Sequence, residues 1–133
     1  LEKVSLMENY IEEIPPAMSP RCPTLSTLLL NHNYSLTKIP DSFFVHMHAL
    51  RVLNLSLSGI CDLPESISHL ENLTDLLLLG CYKLKYVPPL GNLRALRVLN
   101  LCRSGICDLP ESISHLESLT DLLLFGCNKL KYV

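Results

Sequence analysis

The chain has 133 residues, enough for one domain with its own core, and at 48% apolar and 18% charged it excludes a disordered segment. The formal net charge is −2, with Lys and Arg interleaved among Asp and Glu, so the basic face needed for phosphate-backbone binding is missing and nucleic acid is not an expected partner. No run approaches the roughly 20 apolar residues of a membrane-spanning helix, and Leu1 to Tyr10 does not read as a signal peptide.

In chain order, the first element is Leu1-x-x-Val4-x-Leu6, a degenerate copy of a pattern that then recurs in full. L-x-x-L-x-L starts at Leu25, Leu50, Leu73, Leu96 and Leu119, and the six starts lie 24, 25, 23, 23 and 23 residues apart. These lengths are those of a leucine-rich repeat. Each L-x-L predicts a short strand with two side chains on one face, so Leu53/Leu55, Leu76/Leu78, Leu99/Leu101 and Leu122/Leu124 are expected in a core. After each strand stands a polar or small residue: Asn9, Asn33, Ser58, Cys81, Ser104 and Cys127. Asn there can bond the backbone groups that no strand ladder reaches, with Ser and Cys making a weaker version.

Next comes an aliphatic–proline pair: Ile14-Pro15, Ile39-Pro40, Leu63-Pro64, Val87-Pro88 and Leu109-Pro110. Proline suits the first turn of a short helix, as in Pro64 to Leu70, where Ile67 and Leu70 would be buried. The shorter segment Pro88 to Leu93 predicts a tight turn instead. One such repeat cannot close its own core, so neighbours must stack. The expected fold is therefore an α/β leucine-rich-repeat solenoid over residues 1–133. It has about six repeats, with starts near 1, 25, 50, 73, 96 and 119, and the first and last are incomplete or uncapped. Parallel strands form its concave face and short helices or turns its convex face.

A longer period overlies the short one. Residues 49–87 and 95–133 align without gaps, and only five of 39 pairs differ: Ser56/Cys102, Leu57/Arg103, Asn72/Ser118, Leu79/Phe125 and Tyr82/Asn128. A two-repeat unit has been duplicated. Three of the five differences fall on or beside concave strand positions, which suits a diverging recognition surface.

The candidate protein-binding residues are the outward strand positions Thr27, Leu29, Asn31, Val52, Asn54, Ser56, Asp75, Leu77, Leu79, Val98, Asn100, Cys102, Asp121, Leu123 and Phe125, preceded by Lys3, Ser5 and Met7. Leu29, Leu77, Leu79, Leu123 and Phe125 put an apolar stripe on that wall, the kind of patch that marks a partner surface. No catalytic or metal-binding set emerges. Cys81 and Cys127 read as structural. Cys61 and Cys107 lie two repeats apart, about 10 Å, too far for a disulfide, which needs about 7 Å between Cα atoms. Lys85 is expected between them. His46, His48, His69 and His115 read as solvated convex residues. Glu13, Lys38 and Asp62 would stack as an alternating charge ladder along one edge. Three N-x-[ST] triplets occur, at Asn33, Asn54 and Asn72, but Asn33 occupies the buried ladder position.

The text of the repeats carries a closer resemblance. SLMENYIEEIP, CPTLSTLLLNHN, LTKIPDSFFVHMHALRVLNLS and CDLPESISHLENLTDLLLLGCYKLKYVP resemble the repeats of plant intracellular nucleotide-binding leucine-rich-repeat disease-resistance proteins of the coiled-coil type. The segment IPDSFF, Ile39 to Phe44, is the most specific piece. The resemblance implies a cytoplasmic, non-enzymatic region. Its protein partners would be a pathogen effector, a guarded host protein, or the receptor's own nucleotide-binding module. No G-x-x-x-x-G-K-[ST] loop is present, so ADP or ATP is expected only on a nucleotide-binding module of the parent, and no cofactor on these residues. The alternatives are the ectodomain of an extracellular receptor and a free-standing cytosolic scaffold.

Overall fold

An L-x-L motif supplies only a brief extended segment before the following polar residue turns the chain, and the strands are correspondingly short. The computed structural model describes residues 2–131 and contains six strands of three residues each. They are β1 (Lys3–Ser5), β2 (Thr27–Leu29), β3 (Val52–Asn54), β4 (Asp75–Leu77), β5 (Val98–Asn100) and β6 (Asp121–Leu123). All pair in parallel, in sequence order, as one six-stranded sheet. Each coil of the solenoid thus contributes one strand.

The register stacks equivalent residues. Val4, Leu28, Leu53, Leu76, Leu99 and Leu122 form one inward column. Leu53, Leu55, Leu76, Leu78, Leu99 and Leu101 are 0% exposed, and Leu122 and Leu124 pack against them half-buried. The first leucine of each motif adds Leu25, Leu50, Leu73 and Leu96 to the same core. At roughly 2 kcal/mol for each buried aliphatic side chain, these columns supply most of what holds adjacent coils together.

The convex side departs from α-helix. Glu65–His69 and Glu111–His115 form 3-10 helices, entered through Pro64 and Pro110. The coils are too short to allow a longer helix between strands. Ile67 and Leu70 are buried as their spacing requires, and Leu90 to Leu96 turns tightly through N–H bonds from Leu93 to Leu90 O and from Leu96 to Leu93 O. Serines link neighbouring convex turns. The Ser66 hydroxyl accepts from the Phe44 N–H at 3.1 Å, and the Ser112 hydroxyl from the Leu90 N–H at 3.0 Å. Beside that link, the Phe43 and Phe44 rings meet edge to face at 5.1 Å, which fills the back of the second coil.

The Asn-type position behaves as its chemistry demands. Asn33, fully buried, accepts at Oδ1 from the Asn9 and Ile11 N–H groups (3.2 and 3.1 Å) and donates through Nδ2 to the Leu6 and Leu30 carbonyls (3.0 and 2.9 Å). Cys81 keeps one of these four bonds, Sγ to Leu55 O at 3.1 Å, and Cys127 likewise donates to Leu101 O at 2.9 Å. Ser58 and Ser104 each lie 3.7 Å from the sulfur of the next coil.

Candidate functional site

Side chains alternate along a strand, so the residues flanking the buried leucines face the concave side. Three columns result. The first runs Lys3, Thr27, Val52, Asp75, Val98, Asp121, and the second Ser5, Leu29, Asn54, Leu77, Asn100, Leu123. Two residues further on, Met7, Asn31, Ser56, Leu79, Cys102 and Phe125 form the third. It is held in step by N–H bonds from Glu8 to Asn31 O, His32 to Ser56 O, Leu57 to Leu79 O, Gly80 to Cys102 O and Arg103 to Phe125 O.

All fifteen candidate residues share this wall, but they are not equally accessible. Asn31 and Ser56 are each only 7% exposed. The Ser56 hydroxyl is occupied by the Leu79 N–H at 3.1 Å. Asn54 and Asn100 turn their Oδ1 atoms back onto the Ser56 and Cys102 N–H groups, both at 3.0 Å. These asparagines brace their own strands and offer less to a ligand than their position suggests. The Asn31 Oδ1 is buried without a hydrogen-bond partner among the described residues. Thr27, Leu29, Val52, Leu77, Val98 and Cys102 are half-buried. Among the fifteen, Leu79 is 37% exposed, Leu123 41% and Phe125 74%, and Asp121 is exposed beside them. Asp75 and Asp121 head the same two strands. The Thr74 hydroxyl donates to Asp75 Oδ1 at 2.8 Å.

The expected edge ladder of charges does not form. Glu13, Lys38 and Asp62 are all exposed and solvated. Among the described residues the contact at ion-pair distance is His32 Nδ1 to Glu8 Oε1 at 4.0 Å, charged only when the histidine is protonated. Exposed long side chains gain little from pairing in water, about 0–1 kcal/mol, which leaves their rotamer entropy to decide. His48, His69 and His115 are exposed and His46 half-buried. No group of three His, Cys, Asp or Glu that could hold a metal occurs among the described residues.

All six cysteines are free thiols. Cys107 donates its N–H to Lys85 O and Cys61 its N–H to Thr37 O, so Lys85 sits on the coil between the two cysteines. Burial pushes the Cys81 thiol up from its ordinary range, against the lowering effect of its Ser58 and Leu57 hydrogen bonds. The thiolate is the nucleophile. Iodoacetamide at neutral pH is therefore expected to label exposed Cys61 on the native chain and Cys81 only after denaturation. Peptide mass spectrometry resolves the two sites, and labelling of native Cys81 at the Cys61 rate would contradict this assignment.

Asn31, Ser56 and Leu79 share a repeat position, and their exposure there differs, 7%, 7% and 37%.

Comparison with known proteins agrees with this geometry. The Leucine rich repeat family matches residues 23–82. Disease resistance protein At4g27190 of Arabidopsis thaliana is 38% identical over 94 residues, covering 70% of this chain and 10% of that protein. Disease resistance protein RFL1, also of Arabidopsis thaliana, is 43% identical over 83 residues, covering 62% of this chain and 9% of that protein. The chain thus spans about a tenth of the length of the curated relatives it matches. Among solved structures, a leucine-rich-repeat protein of Leptospira interrogans superposes with a TM-score of 0.64 at 22% identity. It covers 78% of this chain and 32% of the other, which supports the fold alone.

Proposed function

From the premise that this chain is a leucine-rich-repeat region related to Arabidopsis thaliana disease resistance proteins, we propose that it is the sensing and autoinhibitory repeat region of a plant intracellular immune receptor. In that role the concave wall recognises protein, either an effector or guarded host protein, or the receptor's own nucleotide-binding module. The coiled-coil and nucleotide-binding modules belong to the parent protein, and any ADP or ATP would bind there. No helix among the described residues is long and apolar enough to cross a membrane.

The observation that carries the reading is the apolar stripe. Leu77 and Leu79 lie within the body of the solenoid, on the concave side, where Leu79 stays 37% exposed. A leucine held open to water in the turn that follows a strand costs solvation that a partner surface would recover. Asn33, one of the three triplets that would suit an extracellular glycoprotein, is fully buried and closed to a glycan.

The test uses the full-length parent expressed in leaf tissue. Leu77→Lys with Leu79→Lys is expected either to trigger cell death without a pathogen, through loss of autoinhibition, or to abolish the response to the cognate effector. The protein must accumulate to wild-type level. A double variant that accumulates normally and matches wild type in both assays would rule the wall out as the working surface.

A further inference from the structure

The duplicated unit places the same chemistry on the concave wall twice. β4 and its continuation carry Asp75, Leu77 and Leu79, and β6 and its continuation carry Asp121, Leu123 and Phe125. Between them β5 contributes Val98, Asn100 and Cys102. Each outer row therefore begins with a carboxylate and continues with two large apolar side chains. From β2 to β6 the three columns hold no Lys or Arg, and among the described residues neither aspartate has an ion-pair partner. The wall is apolar along one side and singly charged along the other.

We propose that the wall spanning β4 to β6 is a docking groove for a basic amphipathic helix of a protein partner, lying across the strands with two cationic residues seven apart. The proposal deepens the recognition reading above and rests on it. Two dimensions select a helix. Asp75 and Asp121 stand two strands apart, about 10 Å, and seven residues of α-helix rise about 10 Å. A Lys or Arg at i and another at i+7 meets both carboxylates from one helix edge. Within a row, the acid and the far apolar residue are four positions apart, about 13 Å. That is the width of a helix with its side chains, about 10–12 Å. An extended peptide crossing the strands would reach one column only and leave either the acids or Leu79 and Phe125 unused. Charge complementarity also fixes the direction of the helix roll: cations toward Asp75 and Asp121, apolar stripe toward Leu79 and Phe125.

The test measures binding of helix-forming, alanine-based peptides of about 18 residues to the 133-residue chain by fluorescence anisotropy. One carries Lys at i and i+7 beside a leucine stripe, a second has the same composition with Lys at i and i+5, and a third has Glu at i and i+7. The i+7 lysine peptide is expected to bind about tenfold more tightly than either control, as two surface ion pairs allow, and to lose that preference at high salt. Asp75→Lys with Asp121→Lys is expected to transfer the preference to the glutamate peptide. Asp121 is exposed and Asp75 half-buried, its carboxylate accepting from the Thr74 hydroxyl, so the thermal melt of the variant is compared with wild type. Equal binding of the three peptides, failure of the charge swap to invert the order, or no binding of any peptide overturns the helix assignment. If binding instead depends on Leu79 and Phe125 alone, the basic-helix proposal is overturned while the reading of the wall as a recognition surface stands.

Discussion

Asn33→Ala is expected to lower the unfolding free energy of the chain by about 3 kcal/mol, read as a shift of the urea midpoint at unchanged slope. The side chain is fully buried and makes four hydrogen bonds, two from the Asn9 and Ile11 amides and two to the Leu6 and Leu30 carbonyls. Each contributes about 1 kcal/mol net, and the groups left behind lose a partner where water has poor access. The first coil then swings away from the second, because three of the four partners lie in the first. Asn33→Cys provides the graded comparison. Cys81 and Cys127 at the same position each keep one donor bond, to Leu55 O and Leu101 O, so the cysteine variant should recover about 1 kcal/mol of the loss. If alanine and cysteine are equally destabilising, or if alanine costs less than about 1 kcal/mol, the ladder is not what joins these coils.

Gly59→Ala comes next in size, about 3 kcal/mol, at the upper end of overpacking costs. A Cβ at residue 59 would stand 2.4 Å from Tyr34 O and 3.3 Å from Leu36 O. The obstruction is backbone of the preceding coil, so no rotamer change relieves it and two coils must separate. The duplicated copy repeats the contact: at Gly105 the added atom would meet Tyr82 O at 2.3 Å and Leu84 O at 3.0 Å. Gly91→Ala is the control, since its Cβ would touch only Ser112 Cβ at an ordinary 3.7 Å. Thermal melts of the three variants should put Gly59→Ala and Gly105→Ala well below wild type and Gly91→Ala within about 0.5 kcal/mol of it. A neutral Gly59→Ala would mean that the coils have slack the packed core gives no sign of.

The two glycines each pack under a tyrosine of the preceding coil. Tyr34 and Tyr82 stay exposed, and a glycine follows in the coil after each, where the tyrosine's own carbonyl closes the space. Gly59 fits the duplicated segment against the coil before it, and Gly105 fits the second copy against the first.

The sequence by itself determined the repeat length, the leucine columns, the proline-led return segments and the ladder at Asn33, and the resemblance of its text pointed to the right relatives. All of these are periodic properties: an L-x-L strand puts the same two side chains inward in each coil whatever its neighbours do. Only the tertiary structure decided what depends on the adjacent coil. It buried Asn31 and Ser56 while leaving Leu79 open in the same column, and it left Glu13, Lys38 and Asp62 unpaired. It also set a left-handed residue after every strand, at Glu8, His32, Leu57, Gly80, Arg103 and Gly126, with φ between 54° and 76°. Glycine occupies only two of those six positions, and leucine or arginine would not be assigned that conformation from propensity. The Leu57 side chain lies over Gly80, and Arg103 over Gly126, where a Cβ would come within 2.5 and 2.9 Å of them. One residue of each stacked pair gives up its side chain so that the other can be large, and that choice is made between coils, across a distance in sequence that no local pattern spans.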